Sequence, residues 1–240
     1  MMEKLTMLNA IIHGKAGRVE RSGESTSIGW KQVFQQREDL LTAAFFSRFT
    51  YLSGLLQHRL LKGWMGSVGD FSTFEAIDYW PKYEFKARDD RNFVEPDLLI
   101  RFSDCDVLIE VKPPQGGDQS LDQWQLEIEG YFSQEEQIKP LYFLAVGRTG
   151  DTLSLLNSEA IREKYPLFQT ANAIEWKPIA GQLHNLMLSG ELDAQDQRIV
   201  GDMLEALKLY NIRANDLLWS DLYKVVDSKR LSMNTLSAWR

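Results

Sequence analysis

Asp97, Glu110 and Lys112 are the residues whose types and spacing could do chemistry. Asp97 follows Pro96, and twelve residues separate it from Glu110. Two carboxylates held close together repel each other unless a divalent cation lies between them. Such oxygen ligands suit Mg²⁺, for which Mn²⁺ can substitute, and a lysine ammonium can stabilise the charge that develops on phosphorus during attack by water. These residue types therefore predict hydrolysis of a phosphodiester.

A β-hairpin is predicted to bring the three side chains together. Two apolar runs, 98–102 and 107–111, flank a short polar turn. An antiparallel return places Glu110 beside Asp97, and Glu110 and Lys112, two residues apart, share one face of their strand. In the plainer alternative, Asp97 caps a strand and Glu110 and Lys112 form an exposed ion pair worth at most about 1 kcal/mol. Residues 107–111 are nearly all apolar, however, and a charge within a covered strand needs a reason.

The order Pro96-Asp97, twelve residues, then Glu110-Val111-Lys112 resembles the motif of the PD-(D/E)XK nuclease superfamily. The resemblance covers few residues, and the predicted hairpin strengthens it. It implies a restriction-endonuclease-like fold and a magnesium-dependent deoxyribonuclease that acts on DNA. It also implies that Asp97 and Glu110 bind the metal and that Lys112 assists the attacking water.

The same resemblance suggests further site residues on helices. Members of the superfamily often carry an acid on a helix before the hairpin, which implies Glu38 as a third metal ligand, with Asp39 as its rival. The plainer interpretation is that acids in a first helical turn suit the helix dipole. Several branches also place a glutamine, with a tyrosine further along, on the helix after the lysine strand. Gln125 and Tyr131 look like that pair, and Gln123 is the alternative; a glutamine bordering a core face is the ordinary interpretation.

The surrounding pattern predicts an α/β fold with a mixed central sheet flanked by helices. Residues 31–61 carry the longest helical periodicity, which Gly54 could interrupt. Residues 82–87 alternate polar and apolar and predict a strand that pairs with the hairpin. A helix capped by Ser120 and a strand at 141–146 follow, and a helix between two strands implies that this part of the sheet is parallel.

We expect three regions along the 240 residues. Residues 1–30 would form an N-terminal helix and a flexible loop, residues 31–176 the nuclease-like core, and residues 177–240 a helical extension packed on that core. Asp193 is predicted to cap a helix of this extension, and Asn211 to stop it. The extension could build a dimer surface or meet a partner protein, and its apolar tail includes Trp219, Leu222, Tyr223, Leu231 and Trp239.

Composition narrows the class of protein. The net charge of −7 gives no global basic field, so DNA binding would need a local patch, for which Arg88, Arg91, Lys112 and Arg148 are candidates. The single cysteine excludes an internal disulfide, and the three scattered histidines do not have the spacing of zinc ligands. No apolar run is long enough to span a membrane, and the start lacks a secretion signal, so we expect a cytoplasmic protein.

A second class of function stays open at this point. A nuclease-like fold without activity could serve as a scaffold or as a nucleic-acid-binding subunit. Retention of Asp97, Glu110 and Lys112 favours the enzyme.

Overall fold

The chain folds around a mixed β-sheet, and two adjacent inner strands of this sheet form the predicted hairpin. The computed structural model describes residues 7–20, 27–88, 91–150 and 153–214. In chain order, the elements of this part are α1 (Met7–Ile12), β1 (Arg18–Glu20), β2 (Ser27–Gly29), α2 (Trp30–Gln35), α3 (Glu38–Phe49), α4 (Gly54–Trp64), β3 (Phe74–Tyr79), β4 (Tyr83–Arg88), β5 (Arg91–Val94), β6 (Leu98–Phe102), β7 (Asp106–Val111), α5 (Leu121–Gln134), β8 (Leu141–Val146), α6 (Leu153–Leu156), α7 (Glu159–Lys164), β9 (Phe168–Ile174), α8 (Trp176–Ser189) and α9 (Ala194–Leu209).

The five-stranded sheet has the strand order β3-β6-β7-β8-β9. Strands β3, β6 and β7 are antiparallel neighbours, whereas β8 and β9 continue the sheet in parallel with β7. The predicted hairpin is confirmed as β6 and β7, and the predicted parallel strand at 141–146 is confirmed as β8. Helix α5, which Ser120 caps as expected, makes the crossover between β7 and β8.

The strand that pairs with the hairpin is β3, so the prediction for residues 82–87 was wrong in its pairing. Those residues do form a strand, β4, but β4 pairs with β5 in a separate two-stranded sheet. The chain turns sharply between β3 and β4, where Trp80 has a positive φ of 52° and Pro81 follows. A proline cannot donate to a ladder of backbone hydrogen bonds, so the two alternating segments cannot form one continuous strand.

Two hydrophobic cores lie on opposite faces of the sheet. Leu98 and Ile100 point into the core that includes residues of α3, α4, α8 and α9, and we call this side the α3 face. Leu99 and Leu108 point into the core that includes Trp124 of α5, on what we call the α5 face. Side chains alternate along a strand, so Asp97 lies on the same face as Leu99 and Glu110 on the same face as Leu108. Both acids are therefore expected on the α5 face.

The predicted helical signal over 31–61 is divided among α2, α3 and α4. The break before α4 lies at Ser53 and not at Gly54 itself. Ser53 caps α4, and both its backbone N–H and its hydroxyl donate to the carboxylate of Asp196 in α9, at 2.9 and 2.5 Å. A buried carboxylate far along the chain therefore helps to fix the position of the break, which local periodicity does not reveal.

The C-terminal helices complete the core on the α3 face. Val200, Met203 and Leu207 of α9 are buried among residues of α3 and α4. Asp193 caps α9 as predicted, by accepting hydrogen bonds from the backbone N–H groups of Gln195 and Asp196. Asn211 has a positive φ of 60° just past the end of α9, which confirms the predicted stop. The apolar tail predicted to pack lies outside the described residues.

The N-terminal region contains more regular structure than predicted. The segment expected to be a loop holds the antiparallel pair β1 and β2, with residues 21–26 outside the described part.

Among the helices that the structure describes, none combines the length and the apolar character needed to cross a membrane.

Candidate functional site

Asp97 and Glu110 are neighbours across two paired strands. Leu98 pairs with Ile109, so Asp97, one residue earlier, lies opposite Glu110, one residue later. Both side chains are buried, with 7% and 2% of their residue surfaces exposed. The backbone N–H of Val111 donates to Asp97 Oδ2 at 2.8 Å, which fixes the orientation of that carboxylate. The hairpin therefore brings the two predicted acids together.

Lys112 joins the two acids just beyond the end of β7. Its ammonium Nζ donates to Glu110 Oε1 at 2.6 Å, and the lysine side chain is only 13% exposed. Its backbone is held by β8 and α8, because the Lys112 carbonyl accepts a hydrogen bond from the Trp176 indole at 2.8 Å. Gly147 lies against the same carbonyl with a φ of 77°, and a Cβ there would come within 2.2 Å of the oxygen, so only glycine fits.

Glu38 reaches the same place from the first turn of α3. Its Oε1 lies 3.7 Å from Lys112 Nζ, and its side chain is 42% exposed. The structure thus brings Glu38 to the site. Its rival Asp39 lies near Tyr210 on another side of the helix, where its charge adds to the effect of burial in raising the pKa of that tyrosine.

Helix α5 brings Gln123 to the acids, which corrects the choice of Gln125. The side-chain amide of Gln123 donates to Glu110 Oε1 at 2.9 Å and to Glu127 Oε1 at 2.8 Å. Gln125 instead lines a surface cavity with residues of α7. The two glutamines are two positions apart, and a helix turns about 200° over two residues, so only one of them can face the sheet.

Tyr131 also lies elsewhere than the resemblance implied. Its hydroxyl donates to Asp106 Oδ2 at 2.9 Å, at the start of β7. Glu110 and Lys112 are at the opposite end of that strand. The pairing of Gln125 with Tyr131 therefore does not describe this site.

Glu127 is the residue that sequence reasoning missed. It is fully buried, and no described residue forms a hydrogen bond with its Oε2. A signal was present, because Glu127 falls on the buried stripe of Trp124, Ile128 and Tyr131, where an acid is out of place. We call Glu38, Asp97, Glu110, Lys112, Gln123 and Glu127 the carboxylate cluster.

Burial and mutual repulsion raise the pKa values of the acids in this cluster. Burial, followed by the charge of Glu110, raises the pKa of Asp97 to about 8, against the opposing effects of the Val111 N–H and Lys112. Burial also raises the pKa of Glu110, although the Lys112 ammonium counteracts it. The pKa of Glu127 is raised well above its ordinary value, by burial and then by Glu110. One ammonium is therefore too little positive charge for the carboxylates around it.

The chemistry of the donor set fits a hard divalent cation. Glu110 Oε2 is buried and has no hydrogen-bond partner within the described part of the chain, although ionised carboxylates normally accept several hydrogen bonds. Asp97 and Glu110 could each give oxygen ligands, and Mg²⁺ often takes only one or two protein carboxylates and keeps its waters. In the described part of the chain, no group of three or more His, Cys, Asp or Glu side chains is arranged to hold a metal ion.

The structure describes the side chains of two of the four residues predicted to form a basic patch, Lys112 and Arg148. The Arg148 guanidinium is in contact with the carboxylate of Asp118, and Lys112 is paired with Glu110 and Glu38. The side chains of Arg88 and Arg91 lie outside the described part of the structure. The cations defined at this end of the sheet are thus already engaged by acids.

Comparison with known proteins adds a relative of similar length. The chain is 29% identical over 238 residues to the uncharacterized protein PM0110 of Pasteurella multocida (strain Pm70). The similarity covers 95% of this chain and 89% of that protein. No protein-family model matches the sequence.

Proposed function

We propose that the protein is a magnesium-dependent nuclease that hydrolyses phosphodiester bonds of DNA, with a restriction-endonuclease-like fold. The observation that carries the proposal is the contact of 2.6 Å between Lys112 Nζ and Glu110 Oε1, beside the buried carboxylate of Asp97. Two acids and a lysine, drawn from adjacent strands, have the residue types that this hydrolysis needs. A divalent cation would offset the burial and the mutual repulsion that raise the pKa values of Asp97 and Glu110.

Asp97 and Glu110 would hold the metal ion, and Glu38, whose carboxylate lies 3.7 Å from Lys112 Nζ, would help to keep that lysine charged. When bound, Mg²⁺ would supply Lewis-acid stabilisation and lower the pKa of a bound water. The backbone N–H of Val111 keeps one oxygen of Asp97 in place, and Gln123 does the same for Glu110. Preorganised ligands of this kind need little rearrangement when charge develops.

Lys112 would act on the phosphate side of the reaction. Burial lowers the pKa of Lys112, but Glu110, Glu38 and Asp97 outweigh burial and raise it overall. The side chain therefore stays a cation at neutral pH, so it is suited to stabilise negative charge and to orient an attacking water. It is not suited to serve as a neutral base.

The second candidate is a nuclease-like scaffold without activity. The observation that favours it is that Glu110 Oε1 already accepts from both the Lys112 ammonium and the Gln123 amide. Such contacts could keep the cluster folded without a cation. The enzyme remains the better proposal because the Oε2 atoms of Glu110 and Glu127 are buried and accept no hydrogen bond from any residue in the described ranges.

The test is a cleavage assay on linear, circular and single-stranded DNA, with Mg²⁺ or with chelator. We expect wild type to cleave at least one substrate in Mg²⁺ only, and Lys112→Ala to be inactive. Lys139→Ala is the matched control, because Lys139 is another partly buried, ion-paired lysine but lies at the far end of the hairpin. Metal-independent cleavage, or equal rates for wild type and Lys112→Ala, would contradict the proposal.

A further inference from the structure

Trp80 lies in the same row of residues as the carboxylate cluster. Tyr79 pairs with Leu98, so Trp80 is opposite Asp97, just as Asp97 is opposite Glu110. The backbone N–H of Trp80 donates to the Asp97 carbonyl at 3.1 Å. With strands about 4.8 Å apart, the backbones of Trp80 and Glu110 are separated by roughly 10 Å.

Two aromatic side chains at this position have unused donors. The rings of Tyr79 and Trp80 are 5.5 Å apart and tilted by 47°. The Tyr79 hydroxyl and the Trp80 indole N–H are both shielded from solvent and have no hydrogen-bond partner among the residues that the structure describes. A buried donor without a partner destabilises the folded state, so donors of this kind in a folded protein call for an explanation.

Trp80 is also unusual in its backbone and its packing. Its φ of 52° is rare for a bulky residue, and strain of this kind concentrates at functional positions. Within the described residues, Trp80 belongs to neither hydrophobic core, whereas Tyr79 packs against the core on the α3 face. Strand β3 is at the edge of the five-stranded sheet, so Trp80 follows a strand with an open side.

Helix α3 runs along the same end of the sheet. Glu38 at its beginning lies 3.7 Å from Lys112, whereas Tyr51, just after its end, lies close enough to Tyr79 to affect its titration. Tyr51 is 68% exposed. An aromatic row of Tyr51, Tyr79 and Trp80 therefore continues from the carboxylate cluster towards the open edge of the sheet.

We propose that Trp80, with Tyr79 beside it, is a stacking platform for an unpaired nucleobase next to the phosphate held by the carboxylate cluster. This inference rests on the proposed nuclease function and narrows its substrate to nucleic acid with an unpaired base at the cleavage position. Single strands and frayed or gapped duplex ends have this property, and a continuous duplex does not. Every base has a π-face, so the platform selects for strandedness and not for sequence.

The charges at the site support this choice of ligand. Lys112 and Arg148 are already paired with acids, and the whole chain carries a net charge of −7. Contacts to phosphates alone would therefore give weak binding. Stacking on an aromatic ring requires no net positive charge.

The test measures binding of labelled oligonucleotides by fluorescence anisotropy, with Ca²⁺ replacing Mg²⁺ and gels to check that the strands stay intact. One series has a single strand in which each nucleotide in turn lacks its base. A second probe is the same sequence as a blunt duplex. We expect wild type to prefer the single strand, and removal of one particular base to weaken binding about tenfold.

Variants at position 80 test whether the weaker binding of the abasic strand depends on the aromatic ring of Trp80. Trp80→Leu should bind the intact single strand about tenfold more weakly and should no longer respond to the missing base. Trp80→Phe should retain most of the affinity, and both variants keep the same backbone strain. Tyr165→Leu is the control, since Tyr165 is a half-buried aromatic that stacks on Phe132 on the α5 face.

Each outcome supports or overturns the platform. If no position of the abasic series weakens binding to wild type, the platform is wrong even if the variants fail to fold. If Trp80→Leu folds and binds and cleaves as wild type does, the platform is wrong and the nuclease proposal stands. If wild type neither binds nor cleaves any of the probes, both proposals fail.

Discussion

The two ends of the hairpin formed by β6 and β7 both bury carboxylates, but they balance them differently. At the far end from the carboxylate cluster, Asp106 is fully buried and accepts from the Tyr131 hydroxyl. Arg101 donates to Asp78 and Glu135 at 2.6 and 2.9 Å. We call Asp78, Arg101, Asp106, Tyr131, Glu135 and Lys139 the Arg101 network.

The Arg101 network has two cations for one fully buried acid, Asp106, and for Glu135, whose side chain is 14% exposed. Arg101 and Lys139 lie 3.4 and 3.8 Å from the oxygens of Asp106, and Glu135 also accepts from Tyr83. The carboxylate cluster has one ammonium for three buried acids, Asp97, Glu110 and Glu127. Buried charges are tolerated when paired, so the first arrangement is that of a structural network. In the second, burial and mutual repulsion favour the protonated acids, and a bound cation would favour their ionised forms.

The largest expected effect is the loss of cleavage in Lys112→Ala. Removing a charge that stabilises a transition state typically costs about 10²–10³-fold in rate. Lys139→Ala should retain cleavage, because Lys139 belongs to the Arg101 network. Plasmid cleavage rates, with circular dichroism to confirm folding, make the comparison. If both lysine variants lost activity equally, the distinction between the two ends would be lost.

Arg101→Met should lower the stability of the fold, whereas Lys112→Ala should lower the rate of cleavage. The change leaves Asp106 and Glu135 with less compensation, and removal of one partner from a buried ion pair costs about 3 kcal/mol. Urea denaturation should show the decrease in the free energy of unfolding. Cleavage by the folded fraction should change little. A variant as stable as wild type would show that the Arg101 network contributes nothing to the fold.

Without metal, the carboxylate cluster should make stability depend on pH, in addition to the dependence that Asp106, whose pKa is also raised by burial, contributes at the other end. The pKa of Asp97 is about 8 in the folded protein, against an ordinary value of 3.8, so folding favours its protonated form. The free energy of unfolding should therefore fall as pH rises from about 4 to about 8. Thermal denaturation in chelator should show this decline, Asp97→Asn should reduce it, and Mg²⁺ should oppose it. The same slope in wild type and Asp97→Asn would show that Asp97 titrates normally.

The smallest expected effect separates the two glutamines of α5. Gln123→Ala removes the amide that holds Glu110 and Glu127, and loss of such support typically costs about tenfold in metal affinity or activity. Gln125→Ala is the matched control, since Gln125 lines the cavity beside α7. The half-saturating Mg²⁺ concentration for cleavage should rise for Gln123→Ala alone. An equal response of the two variants would remove Gln123 from the cluster.

The hairpin and its three charged residues could be predicted from the sequence because their signals are local. The two apolar runs and the polar turn fix the register, and the register places Asp97 opposite Glu110. The choice between Gln123 and Gln125 was not local, because it depends on which side of α5 faces the sheet. A glutamine at either position borders the buried stripe, so periodicity alone left both open.

Two features depend on the assembled fold: which strand pairs with the hairpin, and how many acids surround Lys112. Segments 74–79 and 83–88 are both strands, and only the turn at Trp80 and Pro81 decides which of them joins β6. Glu127 approaches Glu110 only after α5 has packed on the sheet. Counting charges along the sequence cannot show that three acids share one ammonium.

Calorimetric titration with Mg²⁺ tests the central claim most directly, namely that the carboxylate cluster binds a cation through its acids while Lys112 serves the chemistry. Wild type and Lys112→Ala should both bind, with Lys112→Ala slightly tighter because a nearby positive charge is gone. Asp97→Asn should bind at least about tenfold more weakly, because Mg²⁺ prefers charged oxygen. Asp118→Asn, which alters an exposed acid paired with Arg148, should match wild type. Equal binding by wild type and Asp97→Asn would contradict the account.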